Sequence, residues 1–280
     1  TTISSQGLPA DPLWRAHVES DQMVGDLEYR VPMGQAPGGR VMARLQRLSV
    51  PQSQVASVED LLVQPPASVP ALDIVVDQFE LRGRKLGRLQ VLAVNRQLPS
   101  GLREWQLDRL DLDTPEAQFK GSGRWTASGA RRMALDFKLA LSDSGAFVER
   151  LGAGRALRGG KGQLSGQLSW AGSPLTPDYP SLDGQLRLDI AAGQFLHADP
   201  GSARLLGVLS LQALPRRLSL DFRDLFQEGF AFDSIDGDVK VVRGVAQSDN
   251  LHMRGVQATV LMQGSADLLQ YARTAGMAAT

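Results

Sequence analysis

The side chains that could support catalysis or bind a metal ion are few and lie far apart in this sequence. The chain has no cysteine, which excludes disulfides, thiolate zinc sites and cysteine nucleophiles. Its three histidines are widely separated, and none belongs to an HxxxH pair; they are His17, His197 and His252. The sequence therefore predicts no metal site, no cofactor and no catalytic residue.

Two further patterns are similar to functional motifs without meeting their requirements. The glycine-rich run at 159–162 is similar to a phosphate-binding loop, but Arg155 and Gly162 stand where GxxxxGK[ST] requires a glycine and a serine or threonine. We therefore expect a glycine-rich hairpin there. Closely spaced carboxylates indicate a solvated strand face rather than a catalytic pair, and they are Asp108, Asp111 and Asp113. An enzymatic alternative, such as a glycan hydrolase, has only scattered carboxylates of this kind to support it.

Charge and hydropathy exclude two more classes. Thirty basic residues balance thirty acidic ones, so the chain lacks the basic excess typical of proteins that bind nucleic acid. No run approaches the roughly 18 apolar residues of a membrane-spanning helix. The chain begins at Thr1 without a signal peptide, and we expect it to be a piece of a longer protein whose anchor lies elsewhere.

Apolar and polar residues alternate with a period of two in many short segments. Successive side chains of a strand point to opposite faces, so each segment predicts a strand with one apolar face and one wet face. The 29 glycines and 15 prolines suit the turns between such strands. The pattern predicts a mainly β fold with an antiparallel sheet covered on one side only. The clearest segments are 132–141, 164–170, 182–190, 217–222 and 256–262.

The alternation is interrupted in ways that predict a bulge and a few short helices. Within 105–112 the apolar residues move from odd to even positions, and a bulge near Asp108 would absorb this slip. Ser144 is a candidate N-cap for a helix over 145–151 that ends at Gly152. A second helix is predicted after Asp199-Pro200, an acidic N-cap followed by a proline.

Proline- and glycine-rich stretches suggest where the chain divides. Pro-Gly-Gly at 37–39 predicts a hairpin turn, and Gln64-Pro65-Pro66 predicts a linker. We therefore expect N-terminal strands at 1–50, a linker at 51–70, a main β region at 71–267 and a helix-like tail at 268–280.

Several sequence blocks, taken in order, resemble the C-terminal region of AsmA-like proteins of the YhdP type. Among them are FKGSGRW at 119–125, LRGGKGQLSGQLSWAGSP at 157–174 and GQFLHADPG at 193–201, with further blocks at 70–93 and 229–255. The similarity extends from about Leu13 to Asp267 and carries no catalytic signature. It identifies 71–267 as an AsmA-like β-groove region.

This resemblance implies a large Gram-negative envelope protein that lies mostly in the periplasm and is anchored in the inner membrane. Such proteins move phospholipids between the inner and outer membranes along a long, strongly twisted β-sheet that is curled into a hydrophobic groove. The implied partners are phospholipids and, through the parent protein, the two membrane surfaces. The resemblance implies no enzyme activity.

An apolar groove also follows from how little is available to cover the sheet. An uncovered apolar face is costly in water, and one acyl chain lying on it would gain on the order of 10 kcal/mol before entropic costs. The alternative is a structural scaffold whose core is filled by its own side chains and whose sheet edges bind other proteins. If the groove exists, we expect it to be lined by Leu135, Phe137, Leu139, Leu186, Leu188, Ile190, Val256 and Val260.

Overall fold

The structure is a computed structural model in which almost all regular elements are strands. It describes residues 2–6, 13–32, 38–51, 69–101, 103–126, 131–152, 155, 157–174, 177–196, 230–255 and 259–270. The helix predicted after Asp199-Pro200, the strand predicted at 217–222 and Val256 lie outside these residues.

The described residues form fourteen strands and confirm the mainly β prediction. The strands are β1 (Thr2–Gln6), β2 (Leu13–Glu19), β3 (Met23–Arg30), β4 (Arg40–Val50), β5 (Ala71–Leu81), β6 (Arg84–Gln97), β7 (Arg103–Asp113), β8 (Ala117–Thr126), β9 (Arg132–Leu141), β10 (Leu157–Ala171), β11 (Asp183–Phe195), β12 (Phe230–Val242), β13 (Val245–Arg254) and β14 (Thr259–Asp267). The helix α1 (Ser144–Arg150) and a 3₁₀ turn (Tyr179–Ser181) interrupt them.

The strands are arranged in chain order, and one pairing differs from the predicted direction. The other pairings of known register are antiparallel, but β4 and β5 pair in parallel, from Arg40 opposite Ala71 to Val50 opposite Leu81. The expectation of antiparallel pairing throughout is therefore wrong here. A parallel pair needs a crossover of a dozen or more residues, and the long connection at 51–70 lets the chain return to the start of β4.

The chain divides into two compact units, and the divisions fall within β9, near the end of β10 and just before the 3₁₀ turn. The first unit contains Thr1–Phe137 and Trp170–Pro177. The second unit contains Lys138–Ser169 and Asp178–Thr280. Each unit has its own cluster of buried apolar side chains. These clusters are Ala43, Leu45 and Val76 in the first unit, and Ile190, Phe232, Ile235, Met253 and Met262 in the second.

The helix α1 lies where the sequence predicts it but has a different cap. The Asp143 carboxylate accepts a hydrogen bond from the Ala146 backbone N–H at 2.9 Å, so Asp143 and not Ser144 is the N-cap. The Ser144 hydroxyl instead donates to the Gly160 carbonyl oxygen at 2.8 Å and joins α1 to β10. Gly152 follows the helix in the left-handed region, with φ of 83°, as predicted.

Two predicted irregularities have different outcomes. In the β6–β7 pairing Leu92 lies opposite Arg109 and Ala93 opposite Leu107, so the bulge near Asp108 is confirmed. The run at 159–162 is not a hairpin, because it lies inside β10. Gly159 and Gly160 have positive φ there, and a Cβ on Gly160 would lie 3.1 Å from both Ile190 Cγ2 and Ser144 Oγ. These glycines continue a strand that contacts Ser144 of α1, and they do not turn the chain.

Candidate functional site

The polar face of the first unit is covered by cross-strand ion pairs. Arg15 Nε lies 2.7 Å from Glu28 Oε1, and His17 Nδ1 lies 2.8 Å from Asp26 Oδ1. Further along the same face Arg44 pairs with Asp73 at 2.8 Å. Exposed pairs of this kind contribute little to stability, about 1 kcal/mol or less each. They do mark this face as the one in contact with water.

The opposite face of the first unit carries three apolar rows that cross seven strands, from β2 to β8. Each row takes one residue from each strand, and no charged side chain interrupts any row. The first row is Trp14, Tyr29, Val41, Leu72, Ala93, Leu107 and Gly123; the second is Ala16, Leu27, Ala43, Ile74, Val91, Leu110 and Gly121; the third is Val18, Gly25, Leu45, Val76, Leu89, Leu112 and Phe119. These rows are called the apolar rows below.

The bulge in β7 is what keeps the apolar rows continuous. Leu107 and Leu110 are three residues apart, so strict alternation would place them on opposite faces. The extra residue at the bulge restores the phase, and Leu107 pairs with Gly123 while Leu110 pairs with Gly121. The phase slip in the sequence therefore preserves the apolar surface.

Burial along the apolar rows is uneven. Val76 and Ala93 are fully buried, whereas Val41, Leu72 and Ile74 are half-buried. The described partly buried side chains that pack on the first-unit cluster are Met23, Leu27, Leu48, Ile74, Phe79 and Leu89. Leu27, Ile74 and Leu89 belong to the apolar rows themselves. The centre of this face is therefore buried, and the apolar side chains around the centre are partly exposed.

Two of the predicted groove residues lie beside these rows. Phe137 stacks on Phe119, with ring centroids 5.7 Å apart and an interplanar angle of 15°. Leu135 faces Gly121, since a Cβ on that glycine would lie 3.4 Å from Leu135 Cδ1. Both side chains are half-buried, so β9 extends the second and third apolar rows.

The second unit has its own apolar face, and most other predicted residues lie there. Leu139, Leu186 and Leu188 are half-buried, and Leu188 packs against the second-unit cluster together with Val260. Ile190 belongs to that cluster and is only 6% exposed, as expected for a core side chain. The structure thus brings Leu188, Ile190 and Val260 to one cluster.

Glycines on this second face lie opposite large side chains. Gly162 pairs with Ile190, Gly166 with Leu186, and Leu168 with Gly184. A Cβ on Gly162 would collide with the Asp189 carbonyl oxygen, so β10 and β11 approach closely only because this side chain is absent. The arrangement fits two strands tightly together on the apolar side.

An open trough of about 700 Å³ lies on the second unit and is lined by residues of β10 to β14, Gly166 and Leu186 of the apolar face among them. Within it Arg187 Nη1 lies 2.9 Å from Asp238 Oδ1, and Asn250 Nδ2 donates to Asp238 Oδ2 at 2.9 Å. The hydrogen bonds from Asn250 and Arg187 lower the pKa of the Asp238 carboxyl below its ordinary value. The polar groups of this network hydrogen-bond to one another, and such a charged surface is not suited to acyl chains. The trough is lined by Ser165, Gly166, Gln167, Gln185, Leu186, Arg187, Asp238, Val239, Lys240, Gln247, Ser248, Asp249, Gly264 and Ser265.

Sequence reasoning missed most of the apolar rows. Trp14, Tyr29, Val41 and Leu72 each lie in a strand, but the sequence does not reveal which residues of different strands stand side by side. Alternation within 13–19 and 71–76 was the available signal for each strand alone. The rows depend on the register between strands.

The part of the chain that the structure describes contains no group of three or more His, Asp or Glu side chains that could hold a metal ion. Nor does any helix among the described residues have the length and apolarity needed to cross a membrane.

Comparison with known proteins gives the family. The sequence profile of the YhdP protein family matches residues 2–272. The chain belongs to the YhdP family. A relative in Escherichia coli (strain K12), the intermembrane phospholipid transporter YhdP, is 32% identical over 161 residues, which are 57% of this chain and 13% of that protein. The chain thus aligns with only a small part of this YhdP relative, and no solved structure matches it.

Proposed function

We propose that this chain is a non-enzymatic segment of a phospholipid transporter, and that it holds acyl chains against its apolar face. The observation that carries the proposal is the set of apolar rows, which cross seven strands without a charged side chain while the opposite face is covered by ion pairs. The relative that is an intermembrane phospholipid transporter supports phospholipid as the cargo.

The dimensions of the apolar rows suit an acyl chain. Neighbouring strands lie about 4.8 Å apart, so six spacings give a row of about 29 Å measured along the sheet. The hydrocarbon core of a bilayer is about 30 Å thick, and the acyl chains of one leaflet span half of it. One row is therefore long enough for a whole acyl chain. Each methylene removed from water contributes about 0.8 kcal/mol.

The same geometry favours transport over tight recognition. Apart from Trp14 and Tyr29 at one end of the first row, the side chains of the apolar rows have no polar group, so an acyl chain would slide from one strand to the next over apolar contacts alone. The polar head group would stay in water at the margin of the face. In this proposal the parent protein is anchored in the inner membrane, lies in the periplasm of a Gram-negative envelope and delivers phospholipid between the two membranes.

One observation favours the scaffold alternative for the second unit. Its cluster of Ile190, Phe232, Ile235, Met253 and Met262 is buried by its own side chains. Replacing the half-buried Leu188 with Asp separates the two functions. A filled core would lose several kcal/mol of stability, whereas an open face would lose bound lipid and melt only slightly earlier. Leu188→Met, which keeps volume and polarity, is the control.

A photocrosslinking experiment tests the proposal in the first unit. Val41 and Met42 are adjacent, both are half-buried, and their side chains lie on opposite faces of β4. A photoreactive amino acid at position 41 should capture phospholipid in cells, and the same group at position 42 should not. Equal capture at both positions, or capture of protein alone at position 41, would contradict an acyl chain on the apolar rows.

A further inference from the structure

Trp14 and Tyr29 form an exposed aromatic pair at one end of the first apolar row. They lie directly opposite each other in the β2–β3 pairing, and Tyr29 is in turn opposite Val41. Trp14 is 47% exposed and Tyr29 is 38% exposed. Besides Leu261, they are the only large apolar side chains among the described residues that are exposed to this degree. An exposed aromatic pair continuous with an apolar surface needs an explanation.

The other three tryptophans show what this fold does with an indole that has only a structural role. Trp105, Trp125 and Trp170 are at most 5% exposed. Each donates its indole N–H to a backbone carbonyl oxygen, at Pro70, Gly172 and Ser173 respectively, at 2.7–3.0 Å. Trp14 is different, because its indole N–H donates no hydrogen bond to another described residue.

Tryptophan and tyrosine combine a large apolar ring with one polar group, and they are enriched where one end of the side chain is dry and the other wet. In a phospholipid this boundary is the glycerol-ester region, between the acyl chains and the head group. The polar side chains of Arg15, His17, Asp26 and Glu28 lie on the other face of the same two strands, where Arg15 contacts Glu28 and His17 contacts Asp26. Among the described residues, the charged side chains of these two strands thus do not lie on the face that carries the two rings.

We infer that Trp14 and Tyr29 contact a bound phospholipid at its glycerol-ester region, with the acyl chain lying along the first apolar row. The inference rests on the proposed function and adds the position and orientation of the lipid. It predicts that the aromatic pair recognises the part that all diacyl phospholipids share, so that binding at this pair is indifferent to the head group.

Because Trp14 is exposed and the other three tryptophans are buried, tryptophan fluorescence can test the inference directly. Phosphatidylcholine brominated on its acyl chains is loaded onto the protein, and quenching of tryptophan emission is measured while lipid phosphorus per chain is determined separately. Trp14→Phe keeps a ring at this exposed position and leaves the three buried tryptophans as the background. The quenching lost in this variant is the part that comes from Trp14.

We expect Trp14 to be quenched, and more strongly by bromines near the ester end than by bromines near the methyl end. Trp14→Ala should weaken lipid retention about three- to tenfold without lowering the melting temperature, and Tyr29→Ala should act in the same direction. Leu261→Ala is the control, because Leu261 is equally exposed but lies opposite His252, away from the cluster that buries Met262. Phosphatidylglycerol brominated on its acyl chains should quench Trp14 emission to the same extent as the brominated phosphatidylcholine.

The outcomes separate the two proposals. Lipid that binds stoichiometrically but quenches wild type and Trp14→Phe equally would overturn the role of the aromatic pair and leave the proposed function standing. Stronger quenching from the methyl end would overturn the orientation. If lipid phosphorus never accompanies the protein, both the proposed function and this inference are wrong.

Discussion

Replacing Val41 or Met42 with lysine tests which face of β4 binds lipid. The two residues are adjacent and half-buried, but Val41 lies between Tyr29 and Leu72, whereas Met42 lies between Glu28 and Asp73. A lysine therefore enters an apolar row at position 41 and the polar face at position 42, where Glu28 and Asp73 already pair with Arg15 and Arg44. The two variants have the same added charge.

The expected stability changes follow from these surroundings. At position 41 the loss of a half-buried apolar side chain and the partial desolvation of the ammonium group should cost about 1–2 kcal/mol, limited because a long side chain can extend toward water. At position 42 the ammonium group lies on the polar face and stays in water, so the change in the free energy of unfolding should be smaller, within about 0.5 kcal/mol. Urea denaturation measures both values.

The amount of phospholipid that accompanies each variant tests whether an acyl chain lies on the apolar rows. Val41→Lys should lose most of the phospholipid that accompanies wild type, while Met42→Lys should retain it. Met42→Lys also controls for any general effect of added positive charge on anionic lipid. Retention of lipid by Val41→Lys at the wild-type level, or equal loss in both variants, would refute an acyl chain on the apolar rows.

Three further predictions concern the second unit. Gly162→Ala should lower the free energy of unfolding by about 1–3 kcal/mol, because the added Cβ collides with the Asp189 carbonyl oxygen. Gly264→Ala is the control and should be neutral or slightly stabilising, because a Cβ there would have nothing within 4 Å. Equal melting temperatures of the two variants would contradict the close approach of β10 and β11. Asp143→Ala should cost about 1 kcal/mol by removing the N-cap of α1, and an unchanged urea midpoint would show that the cap contributes nothing. The folded-state pKa of Asp238 is lowered, so its contribution to stability is present above the ordinary carboxyl pKa and is lost as pH falls through the lowered value. Asn250→Ala should therefore reduce the acid-induced loss of melting temperature below about pH 4, and superimposable pH profiles would argue against this network.

The strands were predictable because their signal is local. Alternation in 132–141 or 182–190 depends only on which side chains point the same way, and the phase slip at Asp108 was enough to predict a bulge. The family was predictable for a related reason, since long blocks such as 157–174 retain their order.

The features that sequence reasoning missed depend on partners that lie far away in the chain. The parallel pairing of β4 with β5 joins strands that are separated by residues 51–70, whose sequence has no periodic pattern that would indicate it. Ser144 has the right residue type for an N-cap, but the Gly160 carbonyl takes its hydroxyl, and Asp143 occupies the cap. The pairing of Trp14 with Tyr29 required the register between β2 and β3.

The arrangement of the strands in chain order also bears on how the protein folds. Each strand finds its hydrogen-bonding partner in the segment made just before it, so the sheet can grow by successive addition as the chain emerges from a ribosome or a translocation channel. Among the described strands, β4 and β5, and β11 and β12, are the consecutive pairs separated by the most residues, so bringing each of these pairs together has the largest entropic cost. Pulse-labelling hydrogen exchange during refolding should therefore show β2–β4, β5–β8 and β12–β14 gaining protection as separate groups before these two pairs form.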